Sequence, residues 1–209
     1  MGPKYITINH GDSMHTHTAT KLACVALLAL SSVAAEAGII VYGAPLTGAA
    51  EAPPNGSAGT GFATVTIDDV LNTMRVQATF SGLAGTTTAA HIHCCTATAF
   101  TGNAGVATQT PSFAGFPLGV DSGAMDTTFD MTLASSFRAG FITANGGTVA
   151  TAWAALLTGL AAGQAYFNIH TTVYPGGEIR GFLVPEPATL SLLALGLMGV
   201  GFARRRRAA

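Results

Sequence analysis

The chain has 209 residues, of which 9% are charged and 26 are glycine, so it is neither a disordered polyelectrolyte nor a nucleic-acid-binding protein. Residues 38–184 contain seven acidic residues, three arginines and no lysine, and the resulting net charge of −4 disfavours binding to phosphate backbones or acidic membrane surfaces. The length suits one domain of ordinary size with a processing segment at each end.

Residues 1–37 have the pattern of a signal peptide with an N-terminal extension. Lys21 precedes an apolar run over residues 22–35, and Ala35-Glu36-Ala37 supplies a small-x-small cleavage site, so we expect a signal helix that is removed after Ala37. The run is shorter than the roughly 20 residues that a membrane span requires. Met14 is an alternative start to Met1. Signal peptidase and the secretion machinery are the partners that this segment implies.

Two alternating runs, residues 61–68 and 74–80, flank a turn at Asp68-Asp69 through Asn72 and predict an antiparallel hairpin. Residues 96–123 are rich in glycine and proline and form either a long loop or a set of short strands. A further strand is predicted over residues 127–133, with one face formed by Phe129, Met131 and Leu133. Residues 148–160 predict a helix from the spacing of Val149, Trp153, Leu156, Leu157 and Leu160.

Residues 166–183 predict a second hairpin. Strand periodicity places Phe167 and Ile169 on the core face, with Tyr166, Asn168 and His170 on the opposite face. The connecting turn is Tyr174-Pro175-Gly176-Gly177: Pro175 presets one turn angle, and Gly176 or Gly177 can take a positive φ.

Glu178 and Arg180 follow that turn and share the outer face. These opposite charges either pair with each other or fix a neighbouring loop. We interpret them as an ion pair that holds the hairpin in register, worth about 0–1 kcal/mol if exposed. A ligand-binding role is the alternative.

The predicted fold is therefore mainly β. We expect an antiparallel β sandwich or barrel over residues 38–184, of superoxide-dismutase-like or immunoglobulin-like type, with one short helix. An N-terminal signal helix and a C-terminal membrane helix flank this domain.

Three histidines form a candidate metal site. His91 and His93 lie on one side of a predicted strand over residues 89–93, about 7 Å apart at the backbone, while Ile92 faces the core. His170 is also predicted to face outwards, and it becomes a third ligand if the two strands are adjacent. If these residues hold a metal, the cofactor is one copper or zinc ion; no cofactor is certain from the sequence. The alternative is that the three imidazoles occupy hydrogen-bonded surface positions that fix the fold.

Cys94 and Cys95 are the two cysteines that remain after removal of the signal peptide. They either form a ring with each other, form an intermolecular bridge, or complete a soft-metal site with the histidines through a thiolate. A catalytic thiol would require a base and an orienting group, and the sequence offers no such set beyond the same histidines. We therefore predict no catalytic residues.

The C-terminal segment, residues 185–209, begins with Pro185-Glu186-Pro187, continues with an apolar run over residues 188–203 and ends in the basic cluster Arg204, Arg205, Arg206 and Arg207. This order predicts a short membrane helix with a basic stop on the cytoplasmic side, which leaves the domain outside.

The domain resembles the CHRD family, which is named from chordin. The resemblance is carried by the sequences NIHT and YPGGEIRG in residues 166–183, by His91-Ile92-His93, and by an opening with Leu46-Thr47-Gly48 followed by Glu51-Ala52-Pro53-Pro54. His-x-His also resembles the copper side of Cu,Zn superoxide dismutase. Removal of residues 1–37 takes His10, His15 and His17 with it, so the domain has no further histidines for the second metal of that enzyme, which disfavours dismutase chemistry.

The C-terminal segment resembles the PEP-CTERM sorting signal of Gram-negative bacteria. The resemblance implies recognition by an exosortase, cleavage near Pro185-Glu186-Pro187 with Glu186 as the most important residue, and transient anchoring in the inner membrane with the domain in the periplasm. Delivery to the cell surface or the extracellular matrix of a biofilm would follow. A plain tail anchor is the alternative.

Two functions follow from these patterns. The first is a non-enzymatic module that binds exopolysaccharide or surface proteins or has a structural role in the matrix. The second is a copper- or zinc-binding redox domain that uses the three histidines.

Overall fold

The structure, a computed structural model, describes Gly2 and residues 38–186. The predicted signal helix, the apolar run over residues 188–203 and the arginine cluster lie outside the described residues. Among the residues described, there is no helix with both the length and the apolar character needed to cross a membrane.

Within residues 38–186, eight antiparallel strands form one curled sheet, a half-barrel, which confirms the mainly β fold class. In chain order the strands are β1 Ile39–Thr47, β2 Thr60–Asp68, β3 Thr73–Ser81, β4 Thr87–His93, β5 Gly123–Asp130, β6 Tyr166–Thr171, β7 Ile179–Phe182 and β8 Val184–Pro185. Their order in the sheet is β4-β6-β7-β1-β2-β3-β5, and β8 pairs with β1. Of the predicted sandwich or barrel, the structure is nearer to the barrel: one continuous sheet curls around one core.

The predicted hairpin of β2 and β3 is confirmed. Val65 lies opposite Val76, and both are fully buried. Each such aliphatic side chain contributes about 1.5–3 kcal/mol on burial. The turn forms because Asp68 Oδ1 accepts the backbone N–H groups of Val70 and Leu71, and because Asn72 takes a positive φ of 53°.

The predicted helix is present as α2, Val149–Ala161, after a shorter helix α1, Ala139–Ala144, that the sequence pattern did not indicate. Thr148 caps α2 in a capping box with Thr151. Trp153 is buried on the core side of α2, and its indole N–H donates to Asn72 Oδ1 at 3.1 Å. This contact fixes the helix to the turn between β2 and β3.

One predicted core position was wrong. Phe129 and Met131 are buried, but Leu133 is 51% exposed. The strand ends at Asp130, whose carboxylate accepts the backbone N–H of Thr132 at 2.8 Å, and a 3-10 turn follows at Ala134–Ser136. The alternation therefore stops before it reaches Leu133.

Candidate metal site

The site is built on two neighbouring strands. Strands β4 and β6 pair so that His91 lies opposite Asn168, His93 opposite Tyr166, and Ala89 opposite His170. The adjacency that the histidine hypothesis required is thus present.

The three imidazole rings form a nearly equilateral triangle. The ring centroids are 5.9 Å apart for His91 and His93, 5.4 Å for His91 and His170, and 5.6 Å for His93 and His170. One nitrogen from each ring lies within 4.8 Å of the other two. In a tetrahedral zinc site with Zn–N bonds of about 2.0–2.1 Å, ligand nitrogens are about 3.3 Å apart, so a small closure of the rings would complete the geometry.

A backbone carbonyl fixes the orientation of each ring. His91 Nε2 contacts Pro111 O at 2.8 Å, His93 Nδ1 contacts Ala104 O at 2.9 Å, and His170 Nδ1 contacts Pro175 O at 3.0 Å. A carbonyl oxygen can only accept, so the nitrogen that faces it must carry the proton. In a neutral ring the second nitrogen then has a free lone pair, which is the form that binds a metal.

These second nitrogens are His91 Nδ1, His93 Nε2 and His170 Nε2. All three atoms are buried, and within the described part of the chain none of them has a hydrogen-bond partner. A buried polar atom without a partner costs about 1–3 kcal/mol, so three such atoms in one place are unusual for a purely structural cluster.

The rings are neutral at pH 7. Burial lowers the pKa of His91 and of His93 to about 4, although the hydrogen bonds to Pro111 and Ala104 oppose this shift, and burial also lowers the pKa of His170. Three neutral nitrogen donors suit zinc and copper.

The histidines face away from Ile92 as predicted, but His91 and His93 are buried, and His170 is partly exposed. His91 is 6% exposed and His93 is 8% exposed, because the loop between β4 and β5 covers them. Tyr166 stacks on His93 with a centroid distance of 4.8 Å, and the guanidinium carbon of Arg180 lies 4.6 Å from the centroid of the Tyr166 ring.

Cys94 and Cys95 do not belong to this group of nitrogen ligands in the described region. They form a disulfide with each other. Of the three alternatives for these cysteines, this is the ring, and not the intermolecular bridge or the metal-bound thiolate. Cys94 comes directly after the end of β4 and is buried in the core, and the two sulfurs lie against Gly159 of α2. In this form neither cysteine offers a thiolate to a metal.

Glu178 and Arg180 do not pair with each other in the described structure, so the ion-pair interpretation was wrong and the loop-fixing alternative holds. The fully buried Glu178 carboxylate accepts hydrogen bonds from Ser57 and Thr171 hydroxyls, both at 2.6 Å. Arg180 donates to Ala50 O at 2.6 Å and to Asn103 Oδ1 at 2.7 Å. The turn before them has the predicted form, with Gly177 at a φ of 134°.

Glu51 lies beside Arg180, with 3.8 Å between Glu51 Oε2 and Arg180 Nε. Burial raises the pKa of Glu51 to about 7, and the charge of Arg180 partly opposes this shift. Sequence reasoning missed the carbonyl acceptors of Ala104 and Pro111, and it placed Pro175 in the turn without its carbonyl contact to His170. No side-chain pattern can reveal them, because the backbone supplies the oxygen.

A curled antiparallel sheet that carries three converging imidazoles defines the class of protein: a β domain with a candidate histidine metal site. A family model of the CHRD domain matches residues 42–183, which is more than half of the chain, and the chain belongs to that family. The PEP-CTERM protein-sorting motif matches residues 183–207. No curated protein and no solved structure matched the chain.

The two matches identify an exported protein with an exosortase sorting signal, and they imply a surface or extracellular location in a Gram-negative bacterium.

Proposed function

We propose that the exported domain is a non-enzymatic, transition-metal-binding module of the cell surface or exopolysaccharide matrix. In this proposal His91, His93 and His170 hold one zinc or copper ion. The proposal is carried by one observation: three buried ring nitrogens converge while the opposite nitrogen of each ring contacts a carbonyl.

The donor set supports a bound ion with an open coordination position. Three protein nitrogens leave room for a fourth ligand, such as water or a group of the matrix. The carbonyls of Ala104, Pro111 and Pro175 would hold the rings in position, as outer-shell partners do in known metal sites. A module of this kind could bind metal or use it to attach to a partner.

Metal titration of the purified, chelator-treated protein tests the proposal. We expect one zinc or copper ion per chain and loss of binding in each of His91→Ala, His93→Ala and His170→Ala. Asp126→Asn is a matched control, because this exposed carboxylate lies on β5 at the other end of the strand order. Equal binding by the histidine variants and the control would overturn the proposal.

Copper-dependent redox activity is a second candidate. Sites with nitrogen ligands bind Cu²⁺ more tightly than Zn²⁺, and an open coordination position allows a small oxidant or reductant to reach the ion. The copper-loaded protein should then reduce or oxidise a small substrate faster than the His170→Ala variant does. Equal rates for the two proteins would leave binding as the function.

A further inference from the structure

The sorting signal begins inside the fold. The matched motif starts at Leu183, which is fully buried and whose N–H donates to Ala165 O at 3.0 Å. The next residues, Val184 and Pro185, form β8, so the described structure places the start of the Pro-Glu-Pro sequence on the sheet.

Strand β8 is held by β1. Val184 lies opposite Gly43, and Pro185 lies opposite Tyr42. The backbone N–H of Glu186 then donates to Val41 O at 2.8 Å. The backbone of the motif is therefore paired up to the glutamate.

The side chain of Glu186 also lies on β1. A Cβ atom added to Gly43 would be 2.7 Å from Glu186 Oε1 and 3.1 Å from the Phe62 ring. Glycine at this position leaves the space that the Glu186 carboxylate occupies. Both the backbone and the recognition side chain of the motif are thus in contact with the domain.

A sorting enzyme needs access to the backbone of the motif, but β1 pairs with one backbone edge of β8. We propose that the pairing of β8 with β1 is a latch, and that exosortase acts on Glu186 after β8 has separated from β1. Opening is feasible because β8 has two residues and its side chains are exposed, with Val184 at 40%. Short, exposed pairings of this kind open locally while the rest of the sheet stays folded. The latch would set the rate of sorting and does not involve the histidines.

A reducible disulfide between β1 and β8 tests this proposal. The experiment uses the full-length chain in cells that carry the matching exosortase. Directly opposed residues of antiparallel strands have Cα atoms about 4.5–5.5 Å apart, which suits a disulfide. In the double variant Gly43→Cys with Val184→Cys, we expect the unprocessed precursor to accumulate under oxidising conditions. Because a side chain at residue 43 displaces the Glu186 carboxylate, a reductant should restore processing to the rate of the Gly43→Cys single variant. The single variants under the same reductant are the controls.

A second variant acts in the opposite direction. A Gly-Ser-Gly-Ser insertion between Leu183 and Val184 leaves Leu183 in the core and frees β8, so processing should become faster than in the wild type. The same insertion after the exposed Gly56 is the control. Wild-type processing of the oxidised double variant, or no acceleration by the insertion, would overturn the latch.

Discussion

Two buried polar clusters lie on the same part of the sheet, and they differ in how their hydrogen-bonding groups are satisfied. The Glu178 carboxylate is fully buried and accepts four hydrogen bonds, from the hydroxyls of Ser57 and Thr171 and from the backbone N–H groups of Ala84 and Gly85. These hydrogen bonds outweigh the effect of burial and lower the pKa of Glu178.

The histidine cluster is satisfied on one side only. His91, His93 and His170 each use one nitrogen for a carbonyl, and the other nitrogen has no partner among the described residues. A cluster with every group paired stabilises the fold, whereas a cluster that keeps lone pairs free is suited to a ligand. The comparison supports a structural role for Glu178 and is consistent with the binding role that we propose for the histidines.

The largest expected effect on stability comes from a substitution in the Glu178 cluster. Glu178→Ala removes the acceptor of four donors, so we expect the free energy of unfolding to fall by about 4 kcal/mol or more. Denaturant unfolding measures this change. Glu178→Gln keeps an acceptor and should lose less. A loss below about 1 kcal/mol in the alanine variant would contradict a structural role.

The two clusters should also respond to different pH ranges. A histidine pKa of about 4 in the fold, against 6.5 in the unfolded chain, means that the unfolded chain takes up protons first. Metal-free stability should therefore fall as the pH decreases from 6.5 to 4, by up to about 3 kcal/mol for each of His91 and His93. Glu178, with a lowered pKa, should lose its contribution below pH 4.5.

Unfolding measured across this pH range checks the assignment. The double variant His91→Ala with His93→Ala should show a flatter dependence between pH 6.5 and 4.5 and keep the loss below pH 4.5. An unchanged slope in the upper range would show that other groups cause it.

A metal ion bound by the histidine cluster should stabilise the folded protein. At a metal concentration of 100 times Kd, the wild type should gain about 2.7 kcal/mol in the free energy of unfolding. His170→Ala should lose this gain, while the Glu178→Gln variant should keep it. A gain of the same size in His170→Ala would mean that the ion binds elsewhere.

The smallest effect is expected at the surface. Arg75 and Asp126 form an ion pair whose side chains are 48% and 47% exposed. Solvent and salt screen such a pair, so Arg75→Ala should leave the thermal unfolding midpoint unchanged. A clear decrease would show that this edge of the sheet depends on its charges.

Alternation alone predicted the hairpins and the faces of Ile92, His91 and His93, because the side-chain period of a strand is a local property. It could not predict what covers a face. The loop between β4 and β5 has no periodic pattern, yet it buries the histidines and supplies the carbonyls of Ala104 and Pro111.

The Glu178 and Arg180 prediction was wrong for a similar reason. Their spacing suggested a pair, but the partners of Glu178 come from Ser57 and residues 84–85, and those of Arg180 from Ala50 and Asn103. These contacts join parts of the chain that are far apart in sequence, so no local pattern indicates them.

X-ray absorption spectroscopy of the zinc- or copper-loaded protein tests the histidine site most directly. We predict three imidazole nitrogens at about 2.0–2.1 Å from a single ion in the wild type, and no such shell in His170→Ala, which should not retain the ion. A first shell made of oxygen or sulfur, or one that is identical in the variant, would contradict the role assigned to the three histidines.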